Sequence, residues 1–66
     1  MPGIERAIEA AGGVAALARS IGVTHQAVSQ WRARGWAPPS RAMQMEECTG
    51  VPRRDLVSPA IADLFA

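Results

Sequence analysis

The fold is decided by residues 13–34, which read GVAALARSIGVTHQAVSQWRAR. In its first half, apolar residues recur at helical spacing, at Val14, Leu17, Ala18 and Ile21. This spacing predicts a short helix, over about residues 14–20, with one apolar face. Gly22 follows directly and predicts the end of that helix, because glycine adopts a left-handed backbone conformation without steric cost.

A second short helix is predicted from about Thr24 to Ala33. The hydroxyl of Thr24 can cap its N-terminus by accepting a hydrogen bond from a backbone N–H of the first turn. Its apolar positions share one face and are Ala27, Val28 and Trp31. Its polar face carries His25, Gln26, Ser29, Gln30 and Arg32. The second helix is therefore predicted to bury one side and expose the other.

Two short helices joined by a glycine turn are typical of a helix-turn-helix motif, whose second helix enters the major groove of DNA. Ala18 is small enough for close crossing of the two helices, and Val28 can dock the second one. In these features the chain resembles the lambda-repressor-like DNA-binding family, and in length and motif position it resembles the Cro-type phage repressors. The resemblance implies a compact all-α domain of four to five helices. It also implies a repressor that binds double-stranded operator DNA as a homodimer.

The resemblance further implies which side chains contact DNA. Those expected to contact base edges are His25, Gln26, Ser29 and Gln30. Glutamine suits this role because it can form a bidentate contact with N6 and N7 of adenine. Those expected to contact phosphates are Val14, Arg19, Thr24, Arg32 and Arg34, with Val14 acting through the N-terminus of its helix. The alternative for each of these residues is an ordinary solvated surface position.

The distribution of charge agrees with a nucleic-acid partner, although the net charge is only +1. No Asp or Glu occurs from Ala10 to Met45, whereas four of the arginines lie there. Positive charge concentrated around one helix is what phosphate binding requires. All seven basic residues are arginine, which favours bidentate contacts or reflects a GC-rich genome.

The remaining helices are predicted from local signals. An apolar stripe over residues 4–11 indicates a first helix, and Pro39 or Ser40 begins a fourth that ends near Thr49. Cys48 on this fourth helix is expected to be a small buried residue. Cro-type proteins differ in their C-terminal part, which is helical in some and a β-hairpin in others. A helical part is predicted, because the prolines of residues 51–59 cannot donate hydrogen bonds in a strand ladder.

The chain of 66 residues is thus read as one domain over residues 1–66. The helix-turn-helix covers about 14–33, and a C-terminal helical or dimerisation segment covers about 39–66. A chain this short buries a small core, which favours self-association. The candidates for a dimer interface are Trp36, Ile61, Leu64 and Phe65. The alternative is that these side chains cover the core of their own subunit.

Other classes of function have little support in the sequence. One His and one Cys form neither a catalytic constellation nor a set of metal ligands, so no enzyme, metal, cofactor or small-molecule substrate is expected. No apolar run or signal segment indicates a membrane, and a lone cysteine fits a reducing cytoplasm. The second hypothesis is an antitoxin-like or adaptor module that shares the fold and binds a protein partner.

Overall fold

Five α-helices and one 3₁₀ turn follow one another in the computed structural model, which describes residues 2–63. They are α1 (Gly3–Ala11), α2 (Val14–Ile21), α3 (His25–Arg34), α4 (Pro39–Thr49), the 3₁₀ turn Arg53–Asp55 and α5 (Pro59–Ala62). No strand occurs in residues 2–63, which confirms an all-α fold with a helical C-terminal part. None of these helices is long and apolar enough to cross a bilayer.

The core takes one large side chain from nearly every segment. Those that are fully buried are Ile4, Leu17, Val28, Met45 and Leu56. They come in turn from α1, α2, α3, α4 and the residue that follows the 3₁₀ turn. Each of the helices α1 to α4 is therefore fixed by its own anchor in a common core, and α3 packs against α2 and α1.

The 3₁₀ turn and the residue after it pack against α1 on one side and against the loop that follows α3 on the other. Gly3 is buried where α1 begins, and a Cβ added there would overlap the backbone carbonyl of Asp55. The carboxylate of Asp55 also lies 2.7 Å from the guanidinium of Arg6. On the other side, the N–H of Ala37 donates to the carbonyl oxygen of Leu56 over 2.6 Å. The 3₁₀ turn thus connects α1 to the loop that follows α3.

The prediction for Cys48 is wrong, because its side chain is exposed. Ala42 and Met45 are the α4 residues that fill the core. Cys48 lies on one flank of the helix together with Arg41, seven residues earlier. Both face the end of α2, where the Cys48 Sγ lies 4.0 Å from the carbonyl oxygen of Ser20. The buried face of α4 is narrower than its apolar spacing suggests.

Candidate nucleic-acid interface

The turn between α2 and α3 is fixed by backbone and side-chain hydrogen bonds. Gly22 has φ of 72°, a left-handed value, and its N–H donates to the carbonyl oxygen of Ala18. The N–H of Val23 donates to the same oxygen over 3.0 Å. Thr24 is extended, and its hydroxyl oxygen accepts from the N–H of Ala27 over 3.2 Å. The predicted glycine stop and threonine cap are both confirmed, and together they set the direction in which α3 leaves the turn.

The inner face of α3 is docked on the core by two side chains. Val28 is completely buried and Trp31 is 6% exposed. Ala18 of α2, which is 3% exposed, leaves room for the two helices to pack closely. These two anchors, one turn apart on the same face of α3, oppose rotation of the helix about its own axis. Its opposite face is therefore presented to solvent in a fixed orientation.

That outer face carries all four side chains predicted to contact base edges, and all four are exposed: His25, Gln26, Ser29 and Gln30. Gln26, Ser29 and Ala33 follow one ridge, because residues three, four and seven apart share a helix face. An amide and a hydroxyl on this ridge supply both donors and acceptors, which is the chemistry that base edges require. The structure brings these residues together; their contact with DNA stays a prediction.

Ala33 was missed by the sequence reasoning. It is exposed at the end of the same ridge, seven residues after Gln26, and this spacing was the available signal. Its methyl group adds no bulk, so the backbone of α3 can lie close to a partner surface there. A methyl group is also the type of group that contacts the methyl of thymine.

The predicted phosphate contacts at α2 lie at its two ends. Val14 is partly buried and packs against the core, so its backbone N–H rather than its side chain is the group that can meet a phosphate. Gly13 precedes it with φ of 128°, and no side chain caps this helix. Arg19 is exposed in the last turn. The start of α2 thus offers the positive end of a helix dipole, and its end offers a guanidinium.

The structure divides the arginines into two groups. Three form ion pairs: Arg6 with Asp55, Arg32 with Glu5 and Arg53 with Glu46. Four have no carboxylate partner within residues 2–63: Arg19, Arg34, Arg41 and Arg54. Of the arginines predicted to bind phosphate, Arg19 and Arg34 therefore carry uncompensated charge, whereas the charge of Arg32 is compensated.

Arg34 is oriented by Trp36, which lies two residues after the end of α3. Its Nε donates to the carbonyl oxygen of Trp36 over 3.1 Å, and its guanidinium carbon lies 5.9 Å from the centre of the Trp36 ring. Such stacking is a cation–π contact, which restricts the arginine without neutralising it. Trp36 itself is 38% exposed and is not one of the buried residues that form the core. Its place in a dimer interface stays a prediction.

The other candidates for a dimer interface lie at the C-terminus. Ile61 is partly buried and packs against the core of its own chain. Leu64 and Phe65 lie outside the described residues. The structure therefore gives Ile61 an intramolecular role, while the dimer contact of all three stays a prediction.

Arg41 was considered in the sequence only as part of the acid-free region. Its Nη1 donates to Gln44 Oε1 over 2.9 Å and lies 3.5 Å from the carbonyl oxygen of Ile21. This carbonyl is at the C-terminal, negative end of α2, next to the turn. Arg41 thus joins α4 to the helix-turn-helix and adds an uncompensated positive charge beside it.

Comparison with known proteins agrees with this architecture. The model of a family described as bacterial toxin YdaS matches residues 4–59. The chain is also similar to the Cro protein from prophage element Xfaso 1 in Xylella fastidiosa strain Ann-1, with 45% sequence identity and a TM-score of 0.80. The match covers 85% of this chain and 89% of that chain. No curated protein matches the sequence. The chain therefore belongs to the bacterial toxin YdaS family and has the fold of a Cro-type helix-turn-helix regulator.

Proposed function

We propose that this protein is a sequence-specific transcription repressor that binds operator DNA as a homodimer, with α3 in the major groove. The observation that carries the proposal is the outer face of α3. Exposed polar side chains lie along this face. The Thr24 cap fixes the start of the helix, and its inner face packs in the core. A rigid helix of this kind can place side chains against base edges reproducibly.

Base recognition is assigned to the four exposed side chains at the N-terminal and central turns of α3: His25, Gln26, Ser29 and Gln30. Recognition helices contact base edges mainly through their N-terminal residues, where the first two of these lie. Each glutamine can make a bidentate contact with one adenine, and this kind of contact discriminates against the wrong base by about 1–3 kcal/mol.

Affinity is assigned to contacts with phosphates, which carry no sequence information directly. The groups that support this assignment are the uncapped N-terminus of α2 at Val14, the Thr24 hydroxyl, and the guanidinium groups of Arg19 and Arg34, which have no carboxylate partner in residues 2–63. Arg41 lies beside the same turn and is added to this set. These groups lie within the region that contains no Asp or Glu.

Two-fold symmetry of the protein requires a pseudo-palindromic operator. The two recognition helices of a helix-turn-helix dimer lie about 34 Å apart, which is one turn of DNA. Self-association is supported by the small size of the chain and by the exposed ring of Trp36. Occupation of a promoter by such a dimer represses transcription by excluding polymerase, and no catalytic step is involved. The site of action is the bacterial cytoplasm, where the DNA is.

Selection of binding sites from random duplex DNA tests the proposal with the unaltered chain. We expect enrichment of a two-fold symmetric site whose half-sites are about one helical turn apart. A folded protein that enriches no sequence at low salt would refute sequence-specific binding. An enriched site without symmetry would leave DNA binding in place and refute the dimer.

A second candidate is a protein-interaction module of the antitoxin or adaptor kind. The description of the family as a bacterial toxin is compatible with a role outside transcription, but it names neither an antitoxin nor an adaptor. Binding to random duplex distinguishes the two, because binding driven by phosphate contacts must weaken steeply as salt increases. A module that contacts only proteins is expected not to bind random duplex even at low salt.

A further inference from the structure

Arg32 differs from the other arginines near α3 in having an acidic partner. Its Nε lies 2.8 Å from Oε1 of Glu5, and the two side chains are 53% and 32% exposed. Glu5 is in the first turn of α1, whereas Arg32 is in the last turn of α3. The ion pair therefore spans two helices and joins the end of the recognition helix to α1.

The main consequence of this ion pair is electrostatic. An exposed ion pair contributes little to stability, because water and salt screen it. A phosphate near the pair, however, meets a group with no net charge. DNA affinity at a given salt concentration depends on the number of phosphates that the protein neutralises. An Arg32 paired with Glu5 therefore contributes less to DNA affinity than an unpaired one.

We propose that Glu5 is a positioning residue for DNA binding that acts through Arg32. Its carboxylate directs the guanidinium toward α1 and so removes Arg32 from the groups that neutralise phosphates. Arg19 and Arg34, which have no carboxylate partner in residues 2–63, remain in that set. The inference rests on the proposed function, and it replaces the phosphate role that the sequence alone suggests for Arg32.

The test measures affinity for random-sequence duplex at several salt concentrations, with four proteins: the unaltered chain, Glu5→Gln, Arg32→Gln and the double variant. Each neutralised phosphate adds about 0.9 to the slope of log affinity against log salt. We expect Glu5→Gln to steepen the slope by about 0.9 for each bound subunit, because it frees one Arg32 per subunit. Between about 50 and 200 mM salt, this variant then loses more affinity than the unaltered chain, by a factor of about 3.5 for each bound subunit.

The double variant is expected to keep the slope of the unaltered chain, because it too leaves no net charge at this position, and Arg32→Gln is expected to give a slope that is no steeper. The pair Arg53–Glu46 is a matched control, since it also joins Nε to Oε1 over 2.8 Å but lies between the 3₁₀ turn and α4. Glu46→Gln removes the same kind of ion pair and is expected to leave the slope unchanged. If the loss of an exposed ion pair acted only on structure, Glu5→Gln and Glu46→Gln would have the same slope.

Two patterns would overturn the inference while DNA binding itself persists. A shallower slope for Arg32→Gln, with no change for Glu5→Gln, would mean that Arg32 already contacts phosphate. A slope as steep for the double variant as for Glu5→Gln would mean that Glu5 acts on DNA directly rather than through Arg32. If the unaltered chain shows no binding at any salt concentration, the proposed function fails and this inference fails with it.

Discussion

The hydroxyl of Thr24 is assigned two roles, one in helix stability and one in DNA binding, and different substitutions at this position are expected to change them separately. Its oxygen accepts the N–H of Ala27 over 3.2 Å, and the same exposed group is proposed to contact a phosphate. Loss of an N-cap costs about 1 kcal/mol. In a chain of this size, that corresponds to a decrease of about 4–8 °C in the melting temperature. Thr24→Ala is therefore expected to melt earlier by this amount.

Thr24→Asp is expected to separate the two roles. Aspartate caps a helix at least as well as threonine, and its charge adds about 0.3–1 kcal/mol at the N-terminus of α3. The melting temperature should therefore equal or exceed that of the unaltered chain. A carboxylate facing a phosphate, however, is a like-charge contact that costs several kcal/mol, so affinity for duplex should decrease by about tenfold or more.

Thermal unfolding followed by far-UV circular dichroism and a duplex titration give both readouts on the same samples, with Thr24→Ser as the control that keeps the hydroxyl. If Thr24→Asp binds duplex as tightly as the unaltered chain, no phosphate lies near this residue. If it melts as early as Thr24→Ala, the hydrogen bond to Ala27 is not what stabilises the start of α3.

Three further substitutions test the fold and the interface. Gly3→Ala is expected to destabilise the fold by about 1–3 kcal/mol, because the new Cβ would overlap the backbone of Asp55 and a packed site does not accommodate added volume. Ala10→Gly in the same helix measures the difference in helix propensity between the two residue types. An unchanged melting temperature for Gly3→Ala would refute the close contact. Leu17→Ala removes a fully buried side chain and should cost about 2–5 kcal/mol in urea unfolding, whereas a loss below about 1 kcal/mol would contradict its central place. Arg19→Ala should weaken binding to all duplex sequences alike and reduce the salt slope by about 0.9 for each bound subunit. A change of base preference instead would assign Arg19 to base recognition.

The first four helices could be predicted from the sequence because each carries its own local signals. Gly22 and Thr24 fix the end of α2 and the start of α3, and the structure has the helix boundaries within about one residue of those predicted. Local signals of this kind do not depend on distant parts of the chain. The helical C-terminal part follows similarly from its prolines, which cannot take part in a strand ladder.

What could not be predicted depends on contacts between segments far apart in sequence. The pairing of Glu5 with Arg32 joins residues 27 positions apart, and no local pattern distinguishes a paired arginine from a free one. The burial of Gly3 against Asp55 has the same origin. The burial of Cys48 was predicted wrongly, because apolar spacing indicates which side of a helix faces the core but not how wide a strip of that side the core covers.

The most direct test of the account compares the binding site selected by the unaltered chain with that selected by Gln26→Ala. Gln26 lies on the exposed ridge of α3. Gln44→Ala, on α4, is the control glutamine: Gln44 accepts a hydrogen bond from Arg41, so its loss can change affinity through a phosphate contact but not the base preference. The account predicts that Gln26→Ala loses preference at one base pair in each half-site, worth about 1–3 kcal/mol, while the other positions and the site of Gln44→Ala stay unchanged. An identical selected site for Gln26→Ala and the unaltered chain would contradict the claim that this face of α3 recognises the operator.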